Sequence, residues 1–191
     1  MNEQQPSNEM PPQPDRPRLY VANLAAYNNG LLHGVWLDAD QEVDEIESQV
    51  QAMLRRSPVP LAEEVAVHDY EGFAGYRPSE FEPLERLALI AHGIVEHGPA
   101  FGGWADHCGG DAEQLDQFEE AFRGEWDSLT AYTEELLDDL GASETLAAVP
   151  AWLQPYVQLD VEALARDLQL GGDVWTAPAE GGGVYVFDGT R

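Results

Sequence analysis

The sequence has no lysine, one cysteine and no long apolar run. All nine basic residues are arginines, and they stand against 36 Asp and Glu, so the formal charge is −27. A protein that binds nucleic acid or an anionic membrane needs a basic face, which nine scattered arginines do not supply. The longest apolar stretches are four or five residues, whereas a membrane-spanning helix needs about 20. We therefore expect neither nucleic acid nor a membrane as a partner.

The scarcity of cysteine and the composition of the N-terminus bear on location. The single cysteine, Cys108, excludes an intrachain disulfide and fits a reducing compartment, so a cytoplasmic location is expected. The opening MNEQQPSNEM lacks the basic and apolar regions of a secretory signal. Residues 1–17 contain five prolines and little apolar material, which predicts a disordered tail.

Beyond the tail, the composition is that of a globular protein, and residues 18–75 predict a sheet with one helix. The runs RLYVANLAAY, LLHGVWLD and EEVAVHDY are rich in strand-forming residues. Asn28-Asn29-Gly30 indicates a turn between the first two runs. Between the second and third, apolar residues recur at helical spacing from Val43 to Leu54. This segment is predicted as an N-terminal domain with a three-stranded sheet.

Residues 76–117 predict a helical middle domain. Apolar residues lie on one face of a helix over 79–97, namely Leu84, Leu87, Ala88, Ala91, Ile94 and Val95. Ser79 and Glu82 have the spacing of a capping box at its start. The segment AFGGWADHCGG is predicted as a short helix or loop, and a further helix is predicted from Asp111 to Phe122.

Residues 118–191 predict a mixed C-terminal domain. A helix is predicted from Ser128 to Leu140, and another from Val161 to Leu170 with Asp160 as its cap. The segments DVWTA and VYVFD, separated by PAEGGG, predict a closing hairpin. The sequence thus predicts an α+β fold, arranged as an elongated chain of three small units.

The acidic residues are concentrated in one part of the chain. Twelve carboxylates lie between Asp111 and Glu144, with Arg123 as the one basic residue among them. Two carboxylates per helical turn give about one charge per 2.7 Å, against about one per 1.7 Å of duplex DNA. An ordinary solvated surface is one interpretation. However, each pair of like charges at i,i+4 costs a few tenths of a kcal/mol. An uncompensated surplus of carboxylates therefore indicates that their electrostatic field has a function.

We therefore predict a distributed partner-binding surface made of carboxylates, with no single decisive member. Its predicted residues are Asp38, Asp40, Glu42, Asp44, Glu45, Glu47, Asp111, Glu113, Asp116, Glu119, Glu120, Glu125, Asp127, Glu134, Glu135, Asp138 and Asp139.

Motifs for metal, nucleotide or catalytic chemistry do not emerge. The alternating acids from Asp38 to Asp44 resemble a calcium loop, but Val43 and Gln49 stand where that loop needs Gly and Glu. His92, His97, His107 and Cys108 have no zinc-site spacing. Phosphate-binding glycine loops and the serine hydrolase motif are absent. We expect no metal, no cofactor and no enzymatic activity, although 36 acids leave a catalytic carboxylate pair open as an alternative.

Three segments together resemble the ArdA antirestriction family. They are YVANLAAYNNGLLHGVWLD at Tyr20–Asp38, AVHDYEGF at Ala66–Phe73, and VPAWLQPYVQLDVEALARDLQLGGDVWT at Val149–Thr176. Their order and separation also agree with the family, so the resemblance covers about residues 18–188. The Pro-rich tail, the Gly-rich AFGGWADHCGG and the closing EGGGVYVFD depart from it.

The resemblance implies an inhibitor that mimics DNA. Members are acidic homodimers of three small domains that occupy the DNA-binding groove of type I restriction–modification enzymes, on the methyltransferase core. The antirestriction motif of the family matches Leu129–Leu140, which makes Tyr132, Leu136 and Leu140 candidates for the dimer contact. The alternative is an acidic inhibitor or chaperone of another basic DNA-binding protein.

Overall fold

The structure is a computed structural model and describes residues 16–190. Its fold is α+β, as predicted, with two three-stranded antiparallel sheets in the described residues. The chain forms two compact units, one up to Gly102 and the other from Gly103. This boundary lies inside the predicted middle domain 76–117, and the division into three domains stays a prediction. Within residues 16–190, every helix is too short or too polar to cross a membrane.

The first unit contains a sheet with strand order β2-β1-β3 and three helices that follow its strands. The helix α4 then begins within this unit and continues past the boundary. The elements are β1 (Arg18–Asn23), α1 (Leu24–Asn28), β2 (Gly34–Asp38), α2 (Val43–Leu54), β3 (Val65–Glu71), α3 (Leu84–His97) and α4 (Ala100–His107).

The core of the first unit follows from the alternation of β1. Leu19 and Val21 are buried on one face of the sheet, and the helical repeat of α2 buries Ile46 and Val50. The three strands and the α2 helix are those that the sequence predicts. The described fold also includes the end of the predicted tail, since Pro17 is buried and its carbonyl oxygen accepts a hydrogen bond from the Ala39 N–H at 2.8 Å. The rest of that predicted tail lies outside the described residues.

Two boundaries in the first unit differ from prediction. The first strand ends at Asn23, because the Asn23 side chain accepts a hydrogen bond from the Ala26 N–H at 3.0 Å and caps α1. Helix α3 begins at Leu84 rather than near Ser79, with Pro83 as its N-cap. The Glu82 carboxylate does accept the Ser79 N–H, but within the preceding turn. On α3 the predicted apolar face is buried at Leu87 and Ile94, whereas Val95 is exposed.

The second unit contains a sheet with strand order β4-β6-β5. The last two strands form the predicted hairpin, and Asp160 caps its helix as predicted. The helix that was predicted from Ser128 begins at Leu129, with Ser128 as its N-cap. The elements after α4 are α5 (Ala112–Leu115), α6 (Phe118–Ala121), β4 (Phe122–Trp126), α7 (Leu129–Asp139), α8 (Ala142–Ala147), a 3-10 turn (Gln154–Tyr156), α9 (Val161–Gly171), β5 (Val174–Pro178) and β6 (Val184–Asp188).

The core of the second unit is aromatic. Phe187 on β6 is fully buried, and its ring centroid lies 5.4 Å from Trp104, 5.0 Å from Trp175 and 5.4 Å from Phe122. These rings come from α4 and from all three strands of the sheet. The ring of Phe118 on α6 also packs against Phe187, with centroids 6.1 Å apart. Since ring pairs at such separations add about 0.5–1.5 kcal/mol each to the burial of their area, they tie α4 to the sheet.

The predicted helix from Asp111 to Phe122 is wrong as a single element. The segment forms two short helices, α5 and α6, and Phe122 begins strand β4. This strand pairs with β6, which is about 60 residues later in the sequence, so that Phe122 lies opposite Phe187 and Trp126 lies opposite Val184. The i, i+3 and i+4 spacing of apolar residues in this segment does bury Leu115 and Phe118, but long-range pairing determines the conformation of its last part.

Candidate functional site

The predicted carboxylates of the first unit lie at the end of β2 and on α2. The apolar residues of α2 face the core, so Glu42, Asp44, Glu45 and Glu47 are exposed. Asp44 and Glu45 are in the first turn of the helix, where the positive end of the helix dipole favours negative charge. These acids are therefore compatible with a stable helix, and their presence alone does not require a functional explanation.

Asp38 and Asp40, two residues apart, differ in their access to a partner. Asp40 has a side chain only 10% exposed, and its Oδ2 lies 3.4 Å from Nη1 of Arg16. Asp38 is exposed, and its Oδ1 lies 3.4 Å from Nε of Arg18. Of the carboxylates in the predicted surface, Asp40 is the one that is not exposed, so it is the weakest candidate for a partner contact.

The residues around Asp38 include three that sequence analysis did not assign to the surface. Trp36 precedes Asp38 by two residues on β2, Arg18 lies opposite Asp38 on β1, and Glu71 lies opposite Arg18 on β3. Nη1 of Arg18 lies 3.9 Å from Oε2 of Glu71, and its Cζ lies 5.3 Å from the centroid of the Trp36 ring. The alternation of β1 and its pairing with two other strands bring these groups together, which the linear sequence does not reveal without the strand register.

The predicted carboxylates between α4 and α7 occupy short helices, a strand and their connections. Asp111 caps α5 by accepting the Gln114 N–H at 3.1 Å, which gives this acid a structural role as well. The other acids of this part are exposed on or next to α5, α6 and β4. They are Glu113, Asp116, Glu119, Glu120, Glu125 and Asp127.

Arg123, the one basic residue between Asp111 and Glu144, is engaged in structural contacts on β4. Its Nη2 lies 2.8 Å from Oδ2 of Asp188 on β6, and its Nη1 donates to the Glu120 carbonyl oxygen at 2.9 Å. Hydrogen bonds from Thr190, together with Arg123, hold the pKa of Asp188 below its usual range. Arg123 thus pairs with a carboxylate outside the predicted surface.

Helix α7 carries the most unusual arrangement of charge. Its exposed Glu134, Glu135, Asp138 and Asp139 form i,i+4 pairs with one another in its C-terminal half, and no basic residue lies in the last turn. Like charges at i,i+4 are destabilising by about 0.2–0.5 kcal/mol per pair. The negative end of the helix dipole adds to this cost, because it favours cations rather than anions. Local stability alone therefore does not account for these four carboxylates.

The three predicted dimer-contact residues lie on or just after α7, in different environments. Tyr132 is half-buried and packs against Trp126, with ring centroids 5.5 Å apart, and burial raises the pKa of its phenol. Leu136 is half-buried. Leu140 is 72% exposed. Tyr132 thus has a role inside its own unit, whereas Leu140 is open to a partner.

The described residues give little support for a reactive thiol or for a metal site. Burial raises the pKa of the Cys108 thiol to about 11, with Asp111 adding to the shift, so this thiol is not an activated nucleophile. Residues 16–190 contain no group of three or more His, Cys, Asp or Glu arranged to hold a metal ion. With the exception of Asp40, the carboxylates of the predicted surface are exposed to solvent.

The family model described as Antirestriction protein (ArdA) matches residues 19–181. The chain belongs to the ArdA family. No curated protein matches the chain. Membership of the ArdA family implies antirestriction activity and an interaction with type I restriction–modification enzymes, and it marks the chain as an inhibitor protein.

Proposed function

We propose that this ArdA family member inhibits type I restriction–modification enzymes by occupying their DNA-binding groove as a mimic of DNA. The observation that carries the proposal is the set of four exposed carboxylates in the C-terminal half of α7. They oppose both their neighbours and the helix dipole, so a function outside the fold explains them better than stability does.

The charge spacing on α7 supports a match to DNA. Glu134 to Asp139 place four charges on six residues, which span about 9 Å at about 1.5 Å per residue. The result is about one charge per 2.3 Å, against about one per 1.7 Å along a duplex. A basic channel that holds phosphates would find anions at a comparable density, but no bases to methylate and no backbone to cut.

We propose that binding is shared among the exposed carboxylates, since each exposed charge contributes little by itself. Asp40 is expected to contribute least, because its side chain is only 10% exposed and pairs with Arg16. The protein is an inhibitor with no chemistry of its own in this proposal, and its partner is the methyltransferase core of the enzyme. The competition should take place in the compartment where that enzyme acts, which is the cytoplasm.

The active form is proposed to be a homodimer. Two chains of charge −27 carry 54 negative charges, which equals the number of phosphates in about 27 base pairs at two per pair. A contact between two such chains has to be largely apolar at its centre, because the net repulsion opposes association. Leu140 and the exposed Trp152 and Tyr156 supply apolar surface in the second unit.

A second candidate function is inhibition or protection of another basic DNA-binding protein. The same exposed carboxylates favour it, because a field of anions attracts any channel lined with Lys and Arg. The two candidates differ in selectivity. A mimic shaped for the restriction enzyme should bind that enzyme far more tightly than a basic protein of similar charge.

The decisive experiment is a competition assay on a purified type I methyltransferase core. Increasing protein should displace labelled duplex DNA in proportion to its concentration, with stoichiometric inhibition and complete recovery at high DNA. A nucleoid-type basic protein of similar charge serves as the comparison partner. Inhibition that excess DNA does not reverse would rule out mimicry, and equal binding to both partners would favour the second candidate.

A further inference from the structure

Arg18 rests on three groups on the outward side of the first sheet, the side opposite to Leu19 and Val21. Its Nε lies 3.4 Å from Asp38 Oδ1, its Nη1 lies 3.9 Å from Glu71 Oε2, and its Cζ lies 5.3 Å from the centre of the Trp36 ring. One guanidinium on β1 is therefore held between an indole and a carboxylate of β2 and a second carboxylate of β3.

The register of the sheet builds this arrangement. Arg18 on β1 lies opposite Asp38 on β2 and opposite Glu71 on β3, and Tyr20 lies opposite Trp36. The Tyr20 and Trp36 rings are 5.5 Å apart and tilted, which supports the indole from one side.

Gly34 is required for this support. A Cβ at that position would lie 2.7 Å from Cζ of Tyr20 and 2.6 Å from the carbonyl oxygen of Val21. A glycine therefore lets the Tyr20 ring lie across β2 and reach Trp36. The indole beneath Arg18 is thus supported by the Tyr20 ring, for which Gly34 leaves the space.

The three groups have the chemistry of an arginine site. A guanidinium is planar, stacks on an aromatic face and donates to carboxylates in a fixed fork, whereas an ammonium does not stack in this way. The side chains of Asp38 and Glu71 are 55% and 58% exposed, so solvent and other molecules reach both carboxylates. Arg18 itself is the guanidinium seated there, and it shows which ligand these residues accept.

We propose that Trp36, Asp38 and Glu71 form a binding site for an arginine of the partner's DNA-binding channel, and that Arg18 is an intramolecular competitor for this site. The identity of the partner rests on the proposed function, whereas the guanidinium-binding site rests on the contacts of Arg18 alone. The site prefers arginine to lysine, and Arg18 weakens the inhibitor by filling it.

Removing Arg18 should therefore increase affinity by more than the change in charge explains. In Arg18→Gln the site loses its internal guanidinium, and a surface ion pair with a cation–π contact corresponds to about a three- to tenfold competition. Arg166→Gln is the matched control. It also removes one arginine from an exposed ion pair, with Nε of Arg166 3.5 Å from Asp167 Oδ1, and it lies in the second unit.

The site is tested directly with N-acetyl-arginine methylamide, titrated at constant ionic strength and followed by the indole N–H resonance of Trp36. That resonance is assigned by its loss in Trp36→Phe. In Arg18→Gln the shift should saturate at a concentration about three- to tenfold lower than in the wild type or in Arg166→Gln. The corresponding lysine derivative should bind more weakly.

A competition arm with duplex DNA on the methyltransferase core then tests the partner. Arg18→Gln should displace DNA about three- to tenfold better than Arg166→Gln, with folding checked by circular dichroism. Equal behaviour of the two folded variants in the titration would overturn the site. If no form of the protein displaces DNA, the proposed function and the proposed partner fall together, and the titration still decides whether the site binds a guanidinium.

Discussion

Glu82 lies just before helix α3 and Glu85 lies in its first turn, and of the two only the Glu82 side chain is buried. The side chain of Glu82 is 5% exposed; it accepts hydrogen bonds from the Tyr76 hydroxyl and the Ser79 N–H, and it lies 3.8 Å from Arg86. Because Gln cannot accept all of these contacts, Glu82→Gln should destabilise the fold by about 1–3 kcal/mol. Urea unfolding measures the change. Glu85→Gln, at an exposed position, is the control, and an equal loss in both would contradict a structural role for Glu82.

Asp188 is a second carboxylate with a structural role, and it predicts a dependence on pH. Hydrogen bonds from Thr190 and the nearby Arg123 lower its pKa in the folded state. A lowered pKa contributes stability above the unfolded value of about 3.9, and that stability is lost as pH falls through the folded value. Asp188→Asn should therefore reduce stability near neutral pH and flatten its decline below about pH 4. Denaturation at a series of pH values checks this, with Asp116→Asn as the control for losing an exposed charge. An unchanged acid slope would count against the prediction.

At the scale of one element, removing the negative charges of α7 should raise stability and weaken function. Neutralising Glu134, Glu135, Asp138 and Asp139 together as Gln or Asn removes like-charge pairs and the conflict with the helix dipole. We expect thermal stability to rise, by about 0.5–1.5 kcal/mol in total. We also expect DNA competition to weaken by at least tenfold, because the densest set of anions is lost. A single neutralisation should change competition about twofold or less.

The control for α7 removes the same charge from other exposed positions. Gln at Glu63, Glu64, Glu85 and Glu96 changes the net charge equally but leaves α7 intact. If this control weakens competition as much as the α7 variant does, net charge and not the surface of α7 determines binding. A single substitution that abolished inhibition in a folded protein would instead indicate a localised site.

The elements that the sequence predicted are those with a local cause. Helix α2 follows from its apolar repeat, and α9 from its cap at Asp160, so both were predicted nearly to the residue. Strand β4 was missed because Phe122 continues a helical spacing, and its pairing partner Phe187 lies far along the chain. For the same reason the exposed acids could be predicted from composition, whereas the place of Arg18 between Trp36 and Glu71 required the strand register.

For the whole molecule, salt should act in opposite directions on folding and on inhibition. A charge of −27 repels itself, so screening by salt should raise the free energy of unfolding. The same screening should weaken competition with DNA, because attraction to the basic channel supplies most of the affinity. Unfolding and competition measured over one salt series provide the comparison. Inhibition that stays constant from low to high salt in the folded protein would exclude an electrostatic mechanism.

Dimerisation is the last expectation at this scale, and Leu140 is the position that tests it best. Its side chain is 72% exposed on the second unit, whereas Tyr132 packs against Trp126 and would confound a test by altering its own unit. Leu140→Glu should weaken self-association at least tenfold, because it places a charge in a contact that must be apolar. Leu32→Glu makes the same change of charge at a position that is 88% exposed in the first unit. The dimer of this variant should dissociate far less than that of Leu140→Glu.

Sedimentation at several ionic strengths measures both variants, with circular dichroism as the control for folding. Higher salt should strengthen a dimer of two such acidic chains, opposite to its effect on binding the enzyme. A folded wild-type protein that stays monomeric at micromolar concentration and moderate salt would contradict the homodimer. If Leu140→Glu is monomeric, it should still inhibit with lower affinity, because each chain keeps its own carboxylates and only the joint engagement of two surfaces is lost.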